Sequence, residues 1–333
     1  MIGMNSHLRT QASTSVLDIS QLSMAVVQDG LVVPLLDRVS VSIAQGETVG
    51  LVGESGSGKS LTARTALGIL PKNARTSGQV TVDGLDTLAA PPKALQQLRR
   101  SKASMVFQDP RASINPVRRI QDYLTEGLRA RGLAGREARQ EALDLLRRVG
   151  IQDAEGALRR YPHQFSGGML QRVVIAGALS IEPVLLLADE PTTALDVTTQ
   201  AEVVSLLKKL QQDRHTGMLF VTHDLELAAA ICDRIYVMYA GRIVEHATRS
   251  DLFQRPAHPY TRALLNASPS VHGEKVTLTP VPGRPKSLAD APTGCSFRDR
   301  CPLAVDTCAT QTPSLREHGA AQVACLRPEK VTL

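Results

Sequence analysis

Gly53-Glu54-Ser55-Gly56-Ser57-Gly58-Lys59-Ser60 fits the pattern G-x-x-x-x-G-K-[ST] at every fixed position, and that pattern binds phosphate. Its glycines let the backbone turn tightly enough to aim several N–H groups at one anion, and a helix beginning at the lysine adds partial positive charge. In such a cradle Lys59 reaches the terminal phosphates and Ser60 holds magnesium. An ordinary glycine-rich turn can carry the same letters, so a second motif must decide. A different group of residues is suited to metal. Cys295, Cys301, Cys308 and Cys325 have five, six and sixteen residues between them. That spacing is loose for a zinc knuckle, which uses C-x2-4-C pairs. Four thiolates in a proline-rich loop can equally wrap an iron–sulfur cluster, or remain free thiols.

The elements that must position these groups are legible nearby. Thr48-Val49-Gly50-Leu51-Val52 is a short apolar, β-branched run, and residues 60–67 read as a helix, so the phosphate pattern lies between a buried strand and a helix. Ahead of it, three alternating segments within residues 16–43 predict strands joined by a turn at Gln28-Asp29-Gly30. Residues 78–84 and 103–107 predict two more, the second ending at Gln108. Ala138, Ala142, Leu145, Leu146 and Val149 recur at helical spacing with Gly150 as a stop, placing a helical subdomain over about residues 109–170. Residues 184–188 form a continuous apolar run ending in Asp189-Glu190-Pro191, the pattern of a central parallel strand buried on both faces. Residues 218–222, ending at His223, repeat it, and residues 235–245 predict a closing hairpin. The expectation is an α/β sandwich with its ligand at the carboxyl ends of strands. Cys232 follows a helical stretch and is expected in the core.

Length and composition set limits. The 333 residues suffice for one large α/β domain and an appendage, since domains usually run about 100–200 residues. We expect a disordered leader over residues 1–15, a main domain over 16–255, and a small cysteine-rich, proline-rich region over 256–333. The leader is polar and Ser/Thr-rich, so no secretory signal is expected, and no apolar run approaches the roughly 20 residues that span a bilayer. These features predict cytoplasmic residence, where a cysteine cluster suggests metal before disulfide. The net charge of +6 is concentrated: residues 99–172 hold 15 Lys/Arg against 8 Asp/Glu, or +7. Such a stretch can face lipid headgroups, nucleic acid or an acidic partner, or simply be a solvated surface.

Five short elements stand in fixed order. They are the phosphate pattern, Gln108, Phe165-Ser166-Gly167-Gly168-Met169-Leu170-Gln171-Arg172, Leu185-Leu186-Leu187-Ala188-Asp189-Glu190, and Val221-Thr222-His223-Asp224. Together they resemble the ATP-binding-cassette (ABC) ATPases over about residues 16–255. Further stretches are similar to the ATPase subunits of bacterial oligopeptide, dipeptide and nickel importers: Gln108-Asp109-Pro110, Tyr161-Pro162-His163-Gln164, Asp189-Glu190-Pro191-Thr192-Thr193-Ala194-Leu195-Asp196, His258-Pro259-Tyr260-Thr261 and the cysteine tail.

The resemblance implies a RecA-like core with an antiparallel β layer and a helical subdomain, and an ATPase using ATP and magnesium. It places nucleotide on residues 53–60, the metal on Ser60, Gln108 and Asp189, and catalysis on Glu190, His223 and Gln108. Glu190 would orient or deprotonate the attacking water, which needs a carboxylate within hydrogen-bond reach. Ser166, Gly167, Gly168 and Gln171 are similar to the signature that caps ATP held by an opposite subunit. The implied partners are a second ATPase subunit, two integral-membrane permease subunits and an extracytoplasmic solute-binding protein, at the cytoplasmic face of the membrane and without nucleic acid. The likeness of Cys295-x-Phe-x-x-Arg-Cys-Pro to the importer tail favours a 4Fe-4S cluster over zinc, in a structural role. A soluble ABC ATPase acting on nucleic acid or in iron–sulfur assembly is the alternative, and an iron–sulfur redox protein does not account for Glu190 and His223. One departure stands out. The family stacks adenine on an early aromatic ring, and no Phe, Tyr or Trp precedes Phe107 here. Val26 or Val27 would have to serve instead, and preference for ATP over GTP is in doubt.

Overall fold

A computed structural model describes residues 15–193, 195–267 and 279–331. The expected leader, but for Ser15, lies outside the described residues. A four-stranded antiparallel sheet is ordered β2-β1-β4-β5, from β1 (Ser15–Gln28), β2 (Leu31–Ala44), β4 (Ala74–Val82) and β5 (Leu85–Asp86). Alternation explains its packing: Leu17, Ile19, Val39, Val41 and Ile43 turn one face inward while their neighbours stay wet. The turn between β1 and β2 falls at Asp29 and Gly30, both with positive φ.

The second sheet has eight strands in the order β11-β12-β10-β9-β3-β8-β7-β6. Its members are β3 (Thr48–Val52), β6 (Ala103–Val106), β7 (Leu185–Asp189), β8 (Gly217–Thr222), β9 (Arg234–Tyr239), β10 (Arg242–Thr248), β11 (Arg316–His318) and β12 (Ala321–Val323). Strands β3, β7 and β8 are buried along their whole length and pair in parallel, as near-continuous apolar runs require. Their alternate side chains divide between two cores. Leu51, Leu187, Leu219 and Val221 pack toward the antiparallel sheet, whereas Val52, Leu186, Ala188 and Phe220 pack toward the helices.

The region between β6 and β7 is helical. Ile120–Ala130 buries Ile120, Leu124 and Leu128, and Gly135–Arg148 buries Ala138, Ala142, Leu145 and Leu146 against it. Gly150, at φ +83, ends the second helix as its sequence predicts. Many basic side chains here pair on the surface, among them Arg118–Glu126, Arg139–Glu155, Arg147–Asp144 and Arg160–Asp153. Among the described residues, no helix is long and apolar enough to cross a membrane.

The segment after residue 255 is packed into the main body. Strand β12 pairs with β10 and so extends the central sheet, while Tyr260 and Phe297 enter the helix-side core against Tyr239. The buried Glu245 carboxylate on β10 accepts from the backbone N–H of Ala257 at 2.7 Å and of His258 at 2.9 Å, fastening the start of that segment to the sheet.

Candidate functional site

The site lies at the carboxyl ends of β3, β7 and β8. Strand β3 delivers the loop 53–58, and the helix Lys59–Ala66 starts at its end with Gly58 as N-cap at φ +104. Only glycine fits at position 53, where a Cβ would lie 2.1 Å from the Met238 carbonyl oxygen. Lys59 folds back over the loop and donates to the carbonyls of Gly53 at 2.8 Å and Glu54 at 3.0 Å. Burial lowers its pKa, against the pull of Glu190, Asp189 and Glu54.

Asp189 ends β7 and is fully buried. Its Oδ1 accepts from the Ser60 hydroxyl at 2.6 Å. Its Oδ2 has no hydrogen-bond partner among the described residues, Arg64 standing 3.5 Å away. Burial raises the pKa of this carboxyl. The Ser60 hydroxyl and the Asp189 carboxylate, one of whose oxygens is orphaned, form a hard-oxygen donor set that fits magnesium.

Glu190 is where distant segments converge. Its Oε2 accepts from Gln108 Nε2 at 3.2 Å and from the Thr193 hydroxyl at 2.8 Å, and lies 3.4 Å from His223 Nδ1. The His223 contact holds the Glu190 carboxyl below its ordinary pKa, and Glu190 in turn raises that of His223. Glu190 has φ +47, a left-handed conformation costly for a residue with a side chain, and its N–H is pinned to the Val221 carbonyl at 3.0 Å.

These groups face a cavity of about 670 Å³ lined by residues of the phosphate loop together with Gln108, Glu190 and His223. Leu35 and three residues of the carboxyl-terminal region, Pro285, Ser287 and Leu288, complete the wall. Val26 and Val27 are not among the residues lining this cavity, whose apolar lining includes Leu35 and Leu288. The phosphate loop is further bound to that region by the Arg300–Glu54 ion pair and by the Glu54 N–H, which donates to the Tyr260 hydroxyl at 2.8 Å. Neither link has a signature in sequence, since single Arg, Glu and Tyr residues far apart carry no spacing pattern.

Ser166, Gly167, Gly168 and Gln171 are not part of this wall. Ser166 caps the helix Gly167–Leu179 by accepting from the Met169 N–H at 3.3 Å. A Cβ on Gly168 would lie 2.6 Å from Thr199 Cγ2, so the glycine lets two helices approach. Gln171 is buried, and its Nε2 has no hydrogen-bond partner among the described residues.

Cys295, Cys301, Cys308 and Cys325 line one small cavity with His258 and Phe297. Burial raises the pKa of Cys295 and Cys325 and takes that of Cys301 to about 11. As the side chains stand, no group of three His, Cys, Asp or Glu residues among the described residues is arranged to hold a metal ion. The expected 4Fe-4S or zinc centre thus gains no support from the arrangement: the cavity, at about 20 Å³, is too tight for a cluster without rearrangement. Cys232 is a buried core residue, as expected.

Comparison with known proteins bears on the whole chain. The ABC transporter family matches residues 36–193, and the oligopeptide/dipeptide transporter C-terminal region matches residues 244–308. The oligopeptide transport ATP-binding protein OppD of Escherichia coli is 42% identical over 323 residues, covering 96% of this chain and 96% of that protein. The dipeptide transport ATP-binding protein DppD of Haemophilus influenzae is 42% identical over 316 residues, covering 94% and 96%. Among solved structures, the post-hydrolysis dimer of the ATP-binding cassette MJ0796 bound to ADP and Pi superimposes with a TM-score of 0.64 at 28% identity, over 70% of this chain and 98% of that one. Identity above 40% over nearly the whole of these relatives, with both family matches, shows that the chain belongs to the ABC transporter ATPases, in their oligopeptide/dipeptide group.

Proposed function

We propose that the chain hydrolyses ATP to drive peptide import through a membrane transporter. The observation that carries this reading is the convergence of Gln108, Thr193 and His223 on the Glu190 carboxylate, beside the Ser60–Asp189 pair and open to the cavity above the phosphate loop. Lys59 exchanges the carbonyls of Gly53 and Glu54 for phosphate oxygens. Ser60 and Asp189 would hold magnesium, with Gln108 near by, and the bound metal would supply charge neutralisation for the phosphates. Glu190, kept ionised by His223, orients the attacking water and takes its proton, and His223 is placed to donate toward the terminal phosphate. The names of the relatives, which are oligopeptide and dipeptide transport proteins, support peptide as cargo.

Because the segment 166–171 does not face this cavity, the reading includes a second ATPase subunit whose Ser166, Gly167, Gly168 and Gln171 equivalents close over the triphosphate. ATP closes such a pair and hydrolysis reopens it. Two integral-membrane permease subunits would seat against the helical subdomain near Gln108 at the cytoplasmic face, fed by an extracytoplasmic binding protein. Co-purification with two integral-membrane subunits, and loss of peptide uptake in Glu190→Gln, is the expected outcome. Recovery of nucleic acid with steep salt dependence would instead favour a soluble ATPase. For the tail, the reading of a 4Fe-4S cluster rests on the sequence likeness of Cys295-x-Phe-x-x-Arg-Cys-Pro alone, and it would require the side chains around the four thiols to rearrange. Anaerobic protein should then absorb near 400 nm and carry about four irons per chain, whereas colourless protein with one zinc would reverse that reading.

A further inference from the structure

The phosphate end of the nucleotide has its partners, but the base has no aromatic ring to stack on. Among the described residues lining the cavity there is no phenylalanine, tyrosine or tryptophan. The apolar side chains there are Leu35, Leu61, Pro285 and Leu288, of which Leu61 follows directly on Ser60 in the helix that holds the phosphates. A purine base is the flat, weakly polar end of ATP, and the surface complementary to it is the remaining apolar wall.

That wall is built from two parts of the chain meeting at one glycine. Gly241, at φ +72, approaches both Leu35 and Leu288 so closely that a Cβ there would lie 2.5 Å from the Leu35 carbonyl oxygen and 3.0 Å from Leu288 Cβ. The same glycine donates its N–H to the Ser57 carbonyl at 2.9 Å and accepts from the Asp37 N–H at 2.9 Å. Leu35 and Leu288 are therefore held beside the phosphate loop itself. The carboxyl-terminal half of the wall is anchored on both sides. Lys286 pairs with Asp299 at 2.5 Å, Ser287 donates to Asp290 at 2.5 Å, and Arg300 Nε donates to the Pro282 carbonyl at 2.6 Å while its fork holds Glu54 of the loop.

We propose that Leu35 and Leu288 clasp the nucleotide base, so that the carboxyl-terminal region completes the nucleotide site and does the work usually done by an aromatic ring. This rests on the ATPase reading and adds to it a specificity consequence. Aliphatic contact is made by dispersion and does not read the ring's donors and acceptors, so adenine and guanine are held nearly alike.

Titration of ATP, GTP and inorganic triphosphate into the full-length protein by calorimetry tests this. Leu288→Ala is expected to weaken ATP and GTP alike, about tenfold, and to leave triphosphate affinity unchanged, while Leu288→Met restores nucleotide binding. ATP and GTP should bind the unmodified protein within about threefold of each other. Leu35→Ala gives the same reading from the opposite wall if Leu288→Ala proves unstable. Unchanged ATP affinity in both variants, or a large preference for ATP over GTP, overturns the clasp. Failure of the unmodified protein to bind triphosphate at all would instead sink the phosphate site on which the clasp depends, and the two failures are told apart in one experiment.

Discussion

Arg300 holds Glu54 in a two-point fork, Nη1 to Oε2 at 2.6 Å and Nη2 to Oε1 at 2.9 Å, across 246 residues of sequence. The guanidinium is almost wholly buried, lying over the rings of Tyr239 and Phe297, and Cys301 follows it in the chain. A phosphate-loop residue is thus clamped by the carboxyl-terminal region. The pair ties that region to the phosphate loop: loss of the Arg300 side chain alone would leave the partly buried Glu54 carboxylate without its counter-charge.

Arg300→Ala should therefore destabilise the protein by about 3 kcal/mol, because it strands the Glu54 carboxylate. Glu54→Gln in the same background should recover part of the loss. Chemical denaturation of the two single variants and the double variant checks it; additive losses would mean that the fork contributes nothing as a pair.

At position 190, Glu190→Gln should lower steady ATP turnover of the assembled transporter by about 10²–10⁴-fold with nucleotide binding retained. Unchanged turnover would remove Glu190 from the chemistry.

The same variant should shift a neighbouring titration. Glu190 is the largest cause of the raised His223 pKa, so the imidazole pKa followed by NMR should fall when the carboxylate is replaced by an amide. The raised histidine contributes stability that is complete below about pH 6.5 and fades as pH climbs through its folded value. The lowered glutamate contributes stability that is complete above its ordinary value of 4.5 and fades as pH falls through its folded value. The pair is strongest between those limits.

Two glycines of one loop should respond differently to alanine. A Cβ on Gly53 would strike the Met238 carbonyl at 2.1 Å, so Gly53→Ala should displace the loop, costing about 3 kcal/mol. Gly56 has open space around it and pays only for its φ of +78, about 1–2 kcal/mol. Melting temperatures and triphosphate affinity separate the two cases; equal effects would contradict the steric assignment.

Glu245→Ala should leave the N–H groups of Ala257 and His258 buried and unpaired, at a cost of about 1–3 kcal/mol for each. Proteolysis should then release the carboxyl-terminal region first, and cleavage elsewhere would argue against Glu245 as its anchor.

Much of this molecule is local. The phosphate loop is legible because eight consecutive residues determine its turn, and β7 and β8 are legible because strands buried on both faces must be continuously apolar. The helix over Gly135–Arg148 shows its inward stripe at offsets of three and four. Tertiary structure alone decided what lies between such elements. Gln108, Glu190, Thr193 and His223 come from three separate strand ends and meet only because β6, β7 and β8 are neighbours in one sheet. The carboxyl-terminal region reads as an appendage by composition, yet β12 joins the central sheet, Arg300 reaches the phosphate loop and Leu288 lines its cavity. Periodicity reports which face of an element is buried, and it carries no information about which distant segment will cover that face.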